Sequence, residues 1–326
     1  MLSPAIIEDL VNLRLPEAQV RATLLELTPD RIDLAAIDNL LTAISHTVTD
    51  EAATLSDLGA DAIDCAGTGG SGLSRFNTST AAAFVLAAGG ARVVKCGNVG
   101  ISGRSGSFDF LGSLGFPSIM PVELLQELYA EHGLIFIFVP QFYPALQALG
   151  PARRLLGVRT AFNLIGPMLN PARPSYRLYG VSCSQGQSLI SSYLCQSESI
   201  KKALVVRGED GLDEVTHPGT TELFSIAPQN IRKESFHSPA NGLSPLPQEP
   251  LTAEANAAAF LAIVAGEDTM SAHYHQLCLN AGAGFLAAEK VGCIEEGARL
   301  AAELLSSGAV REKFQNLRRS YGNRVG

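Results

Sequence analysis

No glycine precedes Gly59, in a 326-residue chain that holds 31 of them. The N-terminal stretch thus lacks the residue of tight turns and close backbone approach. That shift in composition sets the predicted boundary between a unit over 1–59 and a larger one over 60–326. No C-x-x-C pair occurs among Cys65, Cys96, Cys183, Cys195, Cys278 and Cys293. A zinc ribbon and a dithiol redox motif are therefore excluded. Their irregular spacing fits a reducing compartment. No basic start followed by an apolar run opens the chain, so no secretory signal is expected. No run approaches the ~18 apolar residues of a membrane-crossing helix. Positive charge is short as well, since the net charge is −8. That argues against non-specific nucleic-acid binding and against an anionic membrane surface. A local basic pocket for an anionic ligand remains compatible with it. Apolar residues reach 46%, which favours a full core and little disorder. The expectation is a soluble, cytoplasmic protein with one large domain and a smaller one.

Within 1–59, Ile6, Ile7, Leu10 and Val11 recur at helical spacing, as do Leu24, Leu25 and Leu27, and Leu40, Leu41 and Ile44. Pro16 and Pro29 punctuate these helices. From 60 onward the texture alternates. Strands are predicted over 62–66, 91–95, 134–139, 177–182 and 203–207. Helices are predicted over 78–88, 122–131, 252–265, 272–289 and 295–305. This alternation predicts an α/β fold: a small N-terminal helical domain, and a larger domain with a central, mostly parallel sheet flanked by helices. Residues 228–250 carry Pro228, Pro239, Pro245, Pro247 and Pro250. They read as a connecting loop with room for one hairpin.

GTGGSG occupies 67–72, directly after the first predicted strand. It matches G-x-G-x-x-G in letters. The next strand, ARVVKC, supplies no acid for a ribose hydroxyl, and no Gly-Lys-Ser/Thr follows the loop. Context thus rejects both a dinucleotide fold and a P-loop. Glycines still let several N–H groups face one anion. Thr78, Ser79 and Thr80 stand where a helix begins, so hydroxyls and free N–H groups collect at its positive end. The plain alternative is a glycine turn followed by a capped helix. A second loop, KCGNVGISGRSGS over 95–107, follows the next strand and adds Lys95 and Arg104. Two such loops at the ends of adjacent strands face one crevice and suit a polyanion such as a pyrophosphate. Their plain alternative is a pair of polar surface turns.

Asp213 and Glu214 lie in RGEDGLDEVTHPG, after the strand at 203–207. Near a phosphate ligand, adjacent carboxylates are hard-cation ligands. In isolation such a pair is a solvated turn. His273 and His275 lie two apart on a predicted helix and face different ways, so they read as packing or surface residues. His217 reads as a turn histidine. Ser79 reads as a helix cap, with no histidine base placed beside it.

Together, GTGG (67–70), NTST (77–80), KCGN (95–98), SGRSGS (102–107), RRLLGVRTAFNLIGPMLNPA (153–172) and GLDE (211–214) resemble the anthranilate phosphoribosyltransferases. These enzymes have the nucleoside-phosphorylase-like phosphoribosyltransferase fold. The match runs from about 60 to the end of the chain, while the N-terminal helices match only in kind. The resemblance implies magnesium-dependent transfer of phosphoribosyl from phosphoribosyl pyrophosphate (PRPP) to anthranilate. The products are N-(5-phosphoribosyl)anthranilate and pyrophosphate, a step of tryptophan biosynthesis. It implies a homodimer through the helical domain, which part of 150–175 would join. It implies that Gly67, Gly70, Ser71, Arg75, Asn77, Thr78, Ser79, Thr80, Lys95, Gly97, Asn98, Gly103 and Ser107 hold PRPP. Ser79, Asp213 and Glu214 would bind Mg2+. Gly67, Asn98 and Arg153 would address the acceptor, with the planar guanidinium facing its carboxylate. Arg154 and Arg159 lie close enough in sequence to compete for that task. No residue is assigned as acid or base.

The chain departs from the family pattern at several places. Ser71 stands for an aspartate, Cys96 and Val99 for a histidine and an arginine, Tyr143 for a histidine, and Met168-Leu169-Asn170 for Leu-Thr-Asn. The donor side is mostly kept and the acceptor side altered. Three alternatives follow: another aromatic acceptor with the same donor, a nucleoside-phosphorylase-like cleavage, or a non-catalytic binding paralogue.

Overall fold

The computed structural model describes residues 2–69, 76–100, 105–238 and 251–325. The chain opens with α1 (Pro4–Val11), α2 (Glu17–Glu26), α3 (Leu34–Ser45) and the short α4 (Asp50–Ala53). The Ser3 hydroxyl accepts from the Ile6 N–H at the start of α1, and Asp33 accepts from the Ala36 N–H at the start of α3. Both are N-caps that satisfy an otherwise unpaired donor. Ile7, Leu10, Leu24, Ile37, Leu40 and Ile44 form the buried stripes of these helices.

Next come β1 (Ala62–Gly67), α5 (Thr78–Ala88), β2 (Arg92–Gly97), α6 (Ser107–Ser113), α7 (Val122–His132) and β3 (Leu134–Phe138). Three short helices follow: α8 (Val139–Phe142), α9 (Pro144–Ala148) and α10 (Gly150–Leu156). Then come α11 (Ala161–Ile165), β4 (Tyr176–Gly180), α12 (Ser184–Gln196) and β5 (Lys202–Gly208). A hairpin of β6 (Gly219–Ala227) and β7 (Asn230–Ser238) precedes α13 (Ala253–Ala265), α14 (Ala272–Ala287), α15 (Ile294–Ser306) and α16 (Ala309–Val325).

The strands form one sheet in the order β3-β2-β1-β4-β5-β6-β7. From β3 to β5 every pairing is parallel, and the β6–β7 edge is antiparallel. The mixed, mostly parallel α/β architecture predicted from the alternation is present. Strand order reverses at β1, whose neighbours are β2 on one side and β4 on the other. Ligands of open α/β sheets bind outside the carboxyl ends of the strands at such a reversal.

Helix α5 is apolar all round, as a helix buried on every side should be. It packs on β1 and β2 and against α14 and α16. Its Phe84 ring lies 5.2–5.8 Å from the rings of Phe116, Phe136, Phe260 and Phe314. Each such pair adds about 0.5–1.5 kcal/mol beyond area burial. The first turn of α5 is thus held rigidly at the end of β1. The N-terminal helices are tied to the segment at 150–165: α2 packs on α10, α3 packs on α11, and the Ala161 N–H donates to the Leu27 carbonyl at 2.6 Å.

Three findings go beyond the sequence reading. The hairpin begins at Gly219, nine residues before the predicted loop, and β7 ends at Ser238. The rest of that predicted loop, 239–250, lies outside the described residues. Helices α12 and α16 are additional elements. Val139, the predicted end of a strand, instead opens α8, where Pro140 removes a ladder donor.

Candidate functional site

A cleft of about 770 Å³ opens at the carboxyl ends of β1, β2 and β4. It is lined by both glycine loops, the first turns of α5 and α6, the 139–167 segment and the acid pair. The described parts of the two predicted loops, 67–69 and 95–100 with 105–107, thus line one cleft. Gly67, Asn77, Thr78, Ser79, Lys95, Gly97, Asn98, Ser107, Arg153, Asp213 and Glu214 all line it. Thr80 does not; it is buried within α5, one position past the lining hydroxyls. Gly70, Ser71, Arg75 and Gly103 lie outside the described residues.

Asn77, the residue before α5, ties that helix end to the second loop: its Nδ2 donates to Ser105 Oγ at 3.1 Å and to the Gly106 carbonyl at 3.4 Å. Asp109 Oδ2 accepts from the N–H groups of Gly100 and Gly106, each at 2.7 Å, and so shapes the second loop. The first turn of α5 presents the Thr78 and Ser79 end of an 11-residue helix to the cleft, a positive dipole end. Lys95 is only 2% exposed, and its Nζ donates to the Cys65 carbonyl at 2.6 Å beneath the loop. Its charge therefore acts on the cleft floor from below.

The acid pair is held tightly. Asp213 Oδ2 accepts from the Gly69 N–H at 2.7 Å. A side chain at Gly67 would place its Cβ 2.2 Å from that oxygen, and one at Gly180 would sit 1.8 Å from the Asp213 carbonyl oxygen. Only glycine permits this close approach. Glu214 Oε2 accepts from Gln276 Nε2 at 2.9 Å. Gln276 and Asn280, one turn apart on α14, also bond the Val215 backbone. The sequence reading missed this buried amide pair, although two amides at i, i+4 in an apolar helix are a legible signal. Among the described residues no group of three or more His, Cys, Asp and Glu could hold a metal. The donor set at the cleft is Asp213, Glu214 and the Ser79 hydroxyl. These all-oxygen donors fit a hard cation shared with a phosphate ligand.

Across the cleft, Arg153 lies over the Phe162 ring at 5.3 Å. Burial draws its pKa down to about 10, so it stays cationic at neutral pH. Among the described residues no carboxylate pairs with it. Arg154 also lines the cleft, whereas Arg159 donates to the Gly69 carbonyl. The family-altered positions diverge. Val99 is 42% exposed on the cleft rim. Cys96 turns its Sγ to Asp64 Oδ2 at 3.0 Å, and burial, with the neighbouring carboxylate, holds its thiol well above the usual range. Tyr143 is a core residue whose hydroxyl burial pushes up to about 12. All six cysteines are free thiols.

His217 is more buried than a turn histidine should be, while His273 and His275 are half-buried packing residues as expected. His217 is 4% exposed, bonds Ser238 Oγ through Nδ1 at 2.6 Å, and stacks on His275 with centroids 5.5 Å apart. His273 packs on Phe76.

The glycosyl transferase family, a/b domain, matches residues 59–311. The anthranilate phosphoribosyltransferase of Herpetosiphon aurantiacus is 34% identical over 218 residues, covering 66% of this chain and 64% of that protein. That of Dehalococcoides mccartyi is 35% identical, over 65% of this chain and 63% of that protein. The chain thus spans somewhat under two thirds of the length of these relatives. The crystal structure of anthranilate phosphoribosyltransferase from Thermus thermophilus superposes with a TM-score of 0.73 at 30% identity, covering 97% of this chain and 99% of that one. The Saccharomyces cerevisiae enzyme in complex with PRPP and Mg gives a TM-score of 0.78 at 22% identity, over 94% of this chain and 84% of that one, a likeness of fold. No helix among the described residues is long and apolar enough to cross a membrane.

Proposed function

The chain belongs to the glycosyl transferase family with this α/β domain, and from that premise we propose that it is an anthranilate phosphoribosyltransferase. One observation carries the reading: one cleft, at the point where strand order reverses, gathers the described parts of two glycine loops, an acid pair and an arginine with no carboxylate partner among the described residues.

In this reading the pyrophosphate of PRPP lies against the two loops. The loop N–H groups, the α5 terminus and Lys95 stabilise the charge that builds as pyrophosphate leaves. Mg2+ would be held by Ser79, Asp213 and Glu214, and when bound it neutralises charge on the pyrophosphate oxygens. At the anomeric carbon the bond to the pyrophosphate oxygen breaks as the bond to the amine nitrogen forms. The nitrogen then gives up one proton. An aromatic amine is already a nucleophile in its neutral form, so the protein supplies orientation rather than a strong base. Arg153 presents its fork to the acceptor carboxylate, and Gly67 and Asn98 complete that end. The enzyme would work as a cytoplasmic homodimer through its helical layer. The part-exposed Ile6 on α1 and Leu13 beyond it support that face.

Purified protein with PRPP, Mg2+ and anthranilate tests the reading through the loss of anthranilate fluorescence. Saturable turnover is the expected result. Failure of PRPP to bind in a calorimetric titration with Mg2+ would overturn it. Binding of PRPP without anthranilate turnover would instead favour another aromatic acceptor, the reading that Cys96, Val99 and Tyr143 support.

A further inference from the structure

Gly69 is gripped on both sides. Its N–H donates to Asp213 Oδ2 at 2.7 Å. Its carbonyl accepts from the Arg159 guanidinium and from Ser182 Oγ, the latter at 3.4 Å. The residue sits at φ +64, and no atom of the described residues within 4 Å would meet a Cβ there. Three hydrogen bonds hold it. Arg159 does not line the cleft, and its Nε is buried without a partner. The Gly69 contact is therefore the polar role of this side chain among the described residues. The backbone behind Arg159 is itself anchored. The Thr160 N–H donates to Asn163 Oδ1 at 3.1 Å, and the Ala161 N–H is bonded to Leu27 in the N-terminal helices.

We propose that Arg159 is a positioning residue that, from the acceptor side of the cleft, holds Gly69 at the start of the first glycine loop in the conformation that turns its N–H to Asp213. It touches neither substrate. It links the segment carrying Arg153 and the N-terminal helices to the donor loop. Asp213 completes the grip from the opposite side, so one carboxylate serves both the loop backbone and the cation. The inference rests on the proposed function for its kinetic consequence only; the loop's conformation can be read independently.

The test compares the full-length protein with Arg159→Gln and Arg159→Lys, by two measurements. Amide hydrogen exchange of the peptide spanning the 67–80 loop needs no substrate. Faster exchange there in Arg159→Gln, with core peptides unchanged and Arg159→Lys intermediate, is expected. Steady-state kinetics should show the KM for PRPP raised roughly ten- to a hundredfold, the range of one hydrogen bond to a charged group. The KM for the acceptor should hold, kcat should change far less, and Arg159→Lys should recover part of the loss. Unchanged loop exchange overturns the proposal even if the wild type is active. So does an equal rise in both KM values, which marks general loosening. If Arg159→Gln does not fold, Arg159→Lys and Ser182→Ala are read alone, and normal exchange and normal donor KM in both overturn the proposal. A wild type that fails to bind PRPP sinks the proposed function, while the exchange result still decides the loop.

Discussion

Asp213 shows how much of the site rests on single contacts. Its carboxylate occupies space that a side chain at Gly67 would take, and its backbone carbonyl the space of one at Gly180. Gly67→Ala should therefore displace Asp213 and remove most activity while the fold survives, measured as turnover against an unchanged thermal midpoint. Asp213→Asn with Glu214→Gln should abolish turnover with circular dichroism unchanged; normal activity would remove both from the cation site. At the acceptor end, Arg153→Lys should raise the acceptor KM by roughly tenfold or more, because a point charge replaces a fork; the donor KM should stay put. Most residues that line the cleft were legible as motifs. Those that hold the motifs were legible only in part: the i, i+4 amides of α14 are a local signal, but what they hold is not. Arg159, Ser182, Gln276 and Asn280 act through partners over 60 positions away in sequence. No local pattern encodes such a partner.

At the scale of elements, local chemistry was readable where packing and propensity agree. The helix predicted over 78–88 is α5, residue for residue. Its rigidity depends on Phe84, so Phe84→Ala should cost about 3–5 kcal/mol, read from urea unfolding, because it empties the centre of four rings. The hairpin was harder to read. β7 runs Asn-Ile-Arg-Lys-Glu-Ser-Phe-His-Ser, and its residues from Asn230 to Glu234 are exposed. Charge on an edge strand discourages further strand addition, and the same charge makes the segment look like a loop. Helix α16 buries Val310, Phe314, Leu317 and Tyr321 at helical spacing. That signal is visible once the neighbouring aromatic cluster is known, but it is diluted in the sequence by Arg and Lys on the other face.

For the molecule as a whole, the histidines set a pH limit. His132, His217, His273 and His275 all have pKa values below the ordinary 6.5, each chiefly through burial, and His217 also through the charge of His275. An imidazole kept neutral in the fold takes up its proton on unfolding once the pH is below 6.5. There the unfolded chain binds more protons, and acid favours it. The stability is thus complete above about pH 6.5 and is lost as pH falls from there. The urea midpoint should drop between about pH 7.5 and about pH 5.5. His217→Asn, which keeps a hydrogen-bonding group toward Ser238, should flatten that slope. The same wide view shows why composition pointed to the architecture but not to the connections. Alternating apolar strands and helices fix a layered sheet, whereas the contact between α2 and α10 joins segments over 120 residues apart.

One amide reaches further than its size suggests. Because Asn77, at the head of α5, reaches across to Ser105 and Gly106 of the second glycine turn, that helix end and that turn form a single jaw. Whatever clamps one end of a ligand in that jaw also tightens the other. A chain that keeps the helix end and the turn but loses this crosspiece would hold its anion by two loose fingers.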